Sequence, residues 1–133
     1  MTNGIVYLDS SALIKLIFEE RETAALAGFL EDWPVRTSSS VASVEVLRTA
    51  QLVADNMVTR NARELLATIN LIQPDDVLLA AATRLEPSSL RALDSIHLAS
   101  ALALGSELAG MVVYDRRLAE AARNAGITVW APS

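Results

Sequence analysis

Gly4-Ile5-Val6-Tyr7-Leu8-Asp9-Ser10-Ser11-Ala12-Leu13-Ile14-Lys15 decides how the rest of the chain is read. Its first five residues form a short apolar run rich in β-formers, the pattern of a buried strand. The run breaks at Asp9-Ser10-Ser11, side chains that favour helix starts, and residues 12–18 continue as a helix. A strand that passes directly into a helix is half of a strand–helix repeat, and the same grammar recurs down the chain.

Residues 21–33 read as a second helix stopped by Pro34, and residues 35–38 as a second strand. Ser39 or Ser40 can cap a helix over residues 41–54. Residues 59–69 place Ala62, Leu65, Leu66 and Ile69 at helical spacing, and a third short strand follows over 70–73. Pro74-Asp75-Asp76 starts a helix over 77–85, and residues 86–89 make a turn into a helix over 92–104 that closes near Gly105. The next strand covers 110–114. Asp115 follows it, then a helix over 116–125 stopped by Gly126, and a last strand over 127–130. Strands alternate with helices, and several are continuous apolar runs. That pattern predicts an α/β three-layer sandwich around a central, mainly parallel sheet of four to five short strands. With no internal repeat or linker, residues 1–133 are expected to form one domain.

Composition supports a self-sufficient core. The chain is 52% hydrophobic with a mean hydropathy of +0.33, and it has no cysteine, which excludes a disulfide scaffold, thiol catalysis and a cysteine-ligated zinc. The N-terminus lacks the basic region of a signal peptide, and no apolar run approaches the ~20 residues that span a bilayer. A soluble, cytoplasmic protein with no membrane role is expected. The net charge is −5 and the pI about 4.8, which argues against gripping nucleic acid by bulk charge. Acids grouped around metal ions would have their charge locally neutralised, leaving arginines to meet phosphate. Lys15 is the only lysine; the other ten basic residues are arginines, which suit bidentate phosphate contacts.

Four acids stand in apolar surroundings. Asp9 ends the first strand and Asp115 follows the fourth; ligands of open parallel sheets bind at such strand ends, where strand order reverses. Glu45 lies within Val41-Ala42-Ser43-Val44-Glu45-Val46-Leu47, and Asp94 within Leu93-Asp94-Ser95-Ile96-His97-Leu98. Carboxylates crowded together are stable only with cations or captured protons. Each also has an ordinary reading. Asp9 and Asp115 serve equally as N-caps, Glu45 as a partner of Arg48, and Asp94 as a first-turn acid favoured by the helix dipole. Their occurrence in four separate apolar contexts favours a site.

Four ordered segments resemble the motifs of PIN-domain proteins: residues 6–15, Ser43-Val44-Glu45-Val46-Leu47-Arg48, residues 93–99, and Val113-Tyr114-Asp115-Arg116-Arg117-Leu118-Ala119. The resemblance spans essentially the whole chain and is nearest to the toxins of VapBC-type toxin–antitoxin pairs. It implies an endoribonuclease using Mg²⁺, with Mn²⁺ as a substitute, held by Asp9, Glu45, Asp94 and Asp115. Ser11 corresponds to an auxiliary hydroxyl residue. It further implies an RNA substrate, a metal-activated water attacking the phosphodiester, a cognate antitoxin and a homodimer. Independently of family, Mg²⁺ takes carboxylate oxygens while keeping several waters, and it supports in-line phosphodiester hydrolysis without cysteine or histidine.

Other residues carry less. His97 reads as a structural histidine packed near the acids rather than a metal ligand. Ser38-Ser39-Ser40 reads as capping, since no nucleophile motif surrounds it. Arg60, Arg63, Arg91, Arg116 and Arg117 are candidates for phosphate or for ordinary surface charge. A response-regulator receiver would need a mid-chain phosphoacceptor and a late lysine, and a HAD-type phosphatase would need Asp-x-Asp after the first strand; neither is present. A non-catalytic PIN-like RNA- or partner-binding module is the rival from a different class.

Overall fold

The structure, a computed structural model, describes residues 3–133. Five strands, β1 (Ile5–Leu8), β2 (Arg36–Ser39), β3 (Asn70–Ile72), β4 (Leu108–Val112) and β5 (Val129–Trp130), alternate with seven helices. The helices are α1 (Ser10–Lys15), α2 (Thr23–Leu30), α3 (Val41–Gln51), α4 (Asn56–Ala67), α5 (Asp76–Ala82), α6 (Ala92–Ala103) and α7 (Arg116–Asn124), with a single 3-10 turn, Gly105–Glu107, ahead of β4.

The sheet has the order β3-β2-β1-β4-β5 and every neighbouring pair is parallel. The chain builds outward from β1 to β2 and β3, then returns to the other side of β1 for β4. Strand order therefore reverses between β1 and β4, whose carboxyl ends flank the crevice where open α/β sheets bind ligands.

Strand periodicity divides the core into two layers. In β1, Val6 and Leu8 point to the side covered by α1–α4, where they pack with Leu13, Leu26, Leu30, Val46, Ala62 and Leu66. Tyr7 points to the opposite side with Met111, Val113, Leu98 and Leu118, under α6 and α7. β1 is buried on both faces, which is why its sequence is an unbroken apolar run.

Several boundaries differ from the sequence reading, most of them at a specific hydrogen bond. β4 runs two residues earlier than expected, because the Tyr114 N–H goes to Ser11 Oγ at 3.1 Å instead of extending the ladder. α1 stops at Lys15 rather than Phe18: Thr23 Oγ1 donates to the Lys15 carbonyl at 2.6 Å. α2 ends at Leu30, where the Arg36 guanidinium takes the Leu30 and Trp33 carbonyls at 2.7 and 2.9 Å. α4 begins at Asn56 because Asp55 caps it through the Met57 N–H at 2.9 Å. α5 ends three residues short of the expected 85, and β5 is confined to two residues after Gly126, whose φ of +88° ends α7.

Gly110 of β4 is required by close approach. A Cβ there would lie 2.5 Å from the Trp130 ring and 2.6 Å from the Thr128 carbonyl oxygen. Trp130 cannot retreat freely, since its ring packs 5.2 Å from both Phe29 and Trp33. Gly110→Ala is expected to destabilise the fold by roughly 1–3 kcal/mol, the usual cost of overpacking. Denaturant unfolding followed by tryptophan emission checks this; an unchanged midpoint would contradict the packing described.

Candidate active site

Asp9 leaves β1 with extended backbone (φ −78°, ψ 179°) and caps α1. One oxygen, Oδ1, accepts from the Ala12 N–H at 3.1 Å and from Ser11 Oγ at 2.6 Å. Ser11 thereby joins both edges of the crevice, because its oxygen also accepts the Tyr114 N–H on the β4 side. Asp9 is only 4% exposed. Burial, opposed by the Ser11 and Ala12 hydrogen bonds and by His97, and aided by Asp94, raises its carboxyl to about 6.

Asp115 follows the end of β4 and caps α7, accepting from the Leu118 N–H at 3.4 Å. The capping role and the strand-end position thus coincide for both aspartates. Asp94 lies in the first turn of α6. Burial raises its carboxyl and the neighbouring Asp115 raises it further, while Arg91 opposes both. Arg91 lies across the two, Nε 3.4 Å from Asp94 and Nη2 3.9 Å from Asp115, with its side chain 71% exposed.

Glu45 projects from the second turn of α3 and pairs with His97, not with Arg48. Its Oε1 accepts from Ser10 Oγ at 2.5 Å and lies 2.9 Å from His97 Nε2. Burial pushes this carboxyl upward, but the His97 and Ser10 hydrogen bonds outweigh it and the net shift is downward. The far nitrogen of His97, Nδ1, is 2.8 Å from the Tyr7 hydroxyl. His97 is buried and structural in the sense expected, yet its partner is Glu45 rather than the Asp94 of its own helix.

All four acids are therefore brought to one edge of the sheet, at the reversal between β1 and β4. Among the described residues, no three acid or imidazole groups close into a ready-formed metal cage. The donor set nevertheless suits a hard cation: carboxylate oxygens, no sulfur, and a buried Asp9 whose charged form is disfavoured by burial. The Ser38–Ser40 run divides as capping and core. Ser39 Oγ accepts the Val41 N–H at 3.3 Å, while Ser38 Oγ is buried without a partner. Sequence reasoning missed Tyr7 and Ser10. Both lie beside Asp9, but a tyrosine inside an apolar run and a serine at a helix start each have a common alternative explanation.

The raised Asp9 carboxyl has a consequence for stability. Between its usual value of 3.8 and about 6, the folded chain holds a proton that the unfolded chain has released. Stability from this group therefore falls as pH rises through that window and stays lower above it. Asp94 acts in the same direction, and Glu45, shifted downward, in the opposite one. Asp9→Asn keeps a cap acceptor and removes the charge. In EDTA at pH 8 it should be more stable than wild type by on the order of 2 kcal/mol, the gap closing near pH 4. Denaturant midpoints at the two pH values read this directly, and a less stable variant at pH 8 would refute it.

Residues 6–124 match the PIN domain family. Ribonuclease VapC46 of Mycobacterium tuberculosis is 41% identical over 128 residues, covering 96% of this chain and 98% of its own length. Among solved structures, a chain of a toxin–antitoxin complex from Klebsiella pneumoniae superposes with a TM-score of 0.73 at 24% identity, over 96% of this chain and 98% of that one. Mycobacterium tuberculosis VapC20, described as a sarcin–ricin loop cleaving toxin, superposes at 0.70 with 16% identity, over 96% and 99% of the two chains. At those identities the two superpositions establish the shared fold, while the matched family and the near full-length sequence identity establish kinship. The chain belongs to the PIN-domain family, and its relatives there are the VapC ribonucleases.

Proposed function

We propose that this chain is a metal-dependent endoribonuclease, the toxin of a bacterial toxin–antitoxin pair, with Asp9, Glu45, Asp94 and Asp115 holding Mg²⁺ or Mn²⁺. The observation that carries this reading is the acid edge itself. Asp9, buried at the reversal point of the sheet, retains a proton to about pH 6, and Asp94 and Asp115 raise the charge density beside it. Carboxylates crowded in this way are stabilised by a bound cation. When bound, Mg²⁺ would lower the pKa of a coordinated water and neutralise charge on the phosphodiester oxygens.

The chain's own residues orient and balance this edge. Ser11 and the Ala12 N–H fix one oxygen of Asp9, leaving Oδ2 free to act. Ser10 fixes Glu45 in the same manner. Arg91 holds Asp94 and Asp115 at its inner side while remaining open to solvent, so its guanidinium can meet an RNA phosphate. Arg116 and Arg117, at the start of α7 beside Asp115, offer further positive charge in a chain of net charge −5.

The relatives support the remaining elements. RNA as substrate follows from their description as ribonucleases, and a cognate antitoxin from the complex in which the Klebsiella pneumoniae chain was solved. A homodimer is consistent with exposed Val44 on α3, Leu52 and Val53 just beyond it, and Met57 on α4. One continuous sheet from β1 to β5 supports a single domain over residues 1–133. A cytoplasmic location agrees with the absence, among the described residues, of any helix long and apolar enough to cross a membrane.

One observation favours the alternative of a non-catalytic RNA- or partner-binding module: Arg91 already neutralises part of the acid edge, and no metal cage is preformed among the described residues. Cleavage assays decide between the two. Purified, antitoxin-free protein incubated with structured RNAs, tRNA included, should cut with Mg²⁺ or Mn²⁺ and not with EDTA. Asp9→Asn and Asp94→Asn should each lower the rate at least about 100-fold, as expected when charge stabilisation at the reacting phosphate is lost. Equal inertness of wild type and variants on every RNA, with the fold intact, would favour the binding module.

A further inference from the structure

A buried polar chain runs behind Glu45. Tyr7 is fully buried on β1, His97 is 1% exposed on α6, and Ser10 lies at the first turn of α1. The Tyr7 hydroxyl is 2.8 Å from His97 Nδ1, and the two rings meet edge to face with centroids 5.8 Å apart. His97 Nε2 is 2.9 Å from Glu45 Oε1 and 3.0 Å from Ser10 Oγ. Ser10 and His97, from opposite ends of the chain, thus meet at one carboxylate oxygen, with Tyr7 behind the histidine.

The donors can be assigned from chemistry. An ionised carboxylate only accepts, so both Ser10 Oγ and His97 Nε2 must donate to Glu45 Oε1. Burial keeps the Tyr7 phenol protonated, which makes it a donor able to serve a bare Nδ1. An imidazole that accepts from Tyr7 at Nδ1 and carries a proton on Nε2 fits these contacts, the Nε2–H facing Glu45 Oε1 with Ser10 Oγ alongside. Nothing in ordinary core packing requires this. A leucine at position 97 would occupy a similar volume without a polar group.

We propose that His97 is a positioning residue: backed by Tyr7, it holds Glu45 Oε1 through its Nε2–H and so presents the other oxygen, Oε2, to the cation at the acid edge. The inference rests on the metal-binding reading above. Outer groups that fix a ligating carboxylate typically contribute 10–100-fold to metal affinity.

Mn²⁺ binding by calorimetry, with thermal melts of every variant, tests it. His97→Leu should bind Mn²⁺ about 10–100-fold more weakly. His97→Gln, whose amide N–H₂ reaches the place of Nε2, should stay within about threefold of wild type. In a Glu45→Gln background His97→Leu should cost nothing further, because the two act as one unit. A merely structural histidine would instead lower the melting temperature in both His97 variants and leave Mn²⁺ affinity unchanged, which would overturn the proposal. A second arm needs neither variant to fold. The chain has one histidine, so its two ring-nitrogen signals in a ¹⁵N spectrum of the metal-free protein are assigned without ambiguity. A protonated Nε2 beside a bare Nδ1 supports the proposal; a proton on Nδ1 with a bare Nε2 overturns it. If wild type and Asp9→Asn alike bind no Mn²⁺, the metal reading of the site fails. The ring-nitrogen spectrum then still decides whether His97 holds Glu45.

Discussion

Asp94 repels the charged forms of Asp9 and Asp115 at one edge of a parallel sheet, and much of the surrounding structure contains that repulsion. Asp9 is the centre of the problem, since it is buried at the end of the most enclosed strand. Two donors on one of its oxygens do not cancel the cost of burial, so its proton is retained to about pH 6. The neighbouring acids each have a counterweight. Glu45 has His97 and Ser10, Asp94 has Arg91, and Asp115 has Arg91 together with the N-terminus of α7.

The fold supplies the confinement. Because β1 lies in the middle of the sheet and is covered on both faces, the residue after it has little freedom to move toward water. Ser11 adds a direct tie across the crevice, from Asp9 on one strand end to the Tyr114 N–H beyond the other. This tie stabilises the separation between the two strand ends and ends β4 early. Residues that define a protein's boundaries and residues that organise its site are here the same ones, as expected where local rules yield to function.

Most of the architecture was readable because apolar runs and capping residues were unambiguous. The Gly4–Leu8 run, the Asp9 strand end and the Asp75 and Asp115 caps all stand where the chain pattern placed them. What escaped was decided by individual side-chain hydrogen bonds that hydrophobic periodicity does not show. The early end of α2 depends on Arg36 reaching back to the Leu30 and Trp33 carbonyls. The early start of α4 was a local signal, Asp55, overlooked beside the stronger periodicity that follows it. At the site, the four acids were legible as charges in apolar contexts. Glu45 seemed equally suited to Arg48, one turn away; only the fold brings His97 to it across 52 residues. Tyr7 carried no signal, since nothing in a strand tells which face a single ring will occupy until the sheet is assembled.

The account stands on the claim that this edge binds a divalent cation. Crystals soaked in Mn²⁺ and measured near the manganese absorption edge test it most directly. The predicted result is an anomalous density peak within coordination distance of Asp9 and of at least one of Glu45, Asp94 and Asp115, with oxygen ligands at about 2.0–2.2 Å. No peak at this edge at millimolar Mn²⁺, with Arg91 still lying across Asp94 and Asp115, would contradict the account.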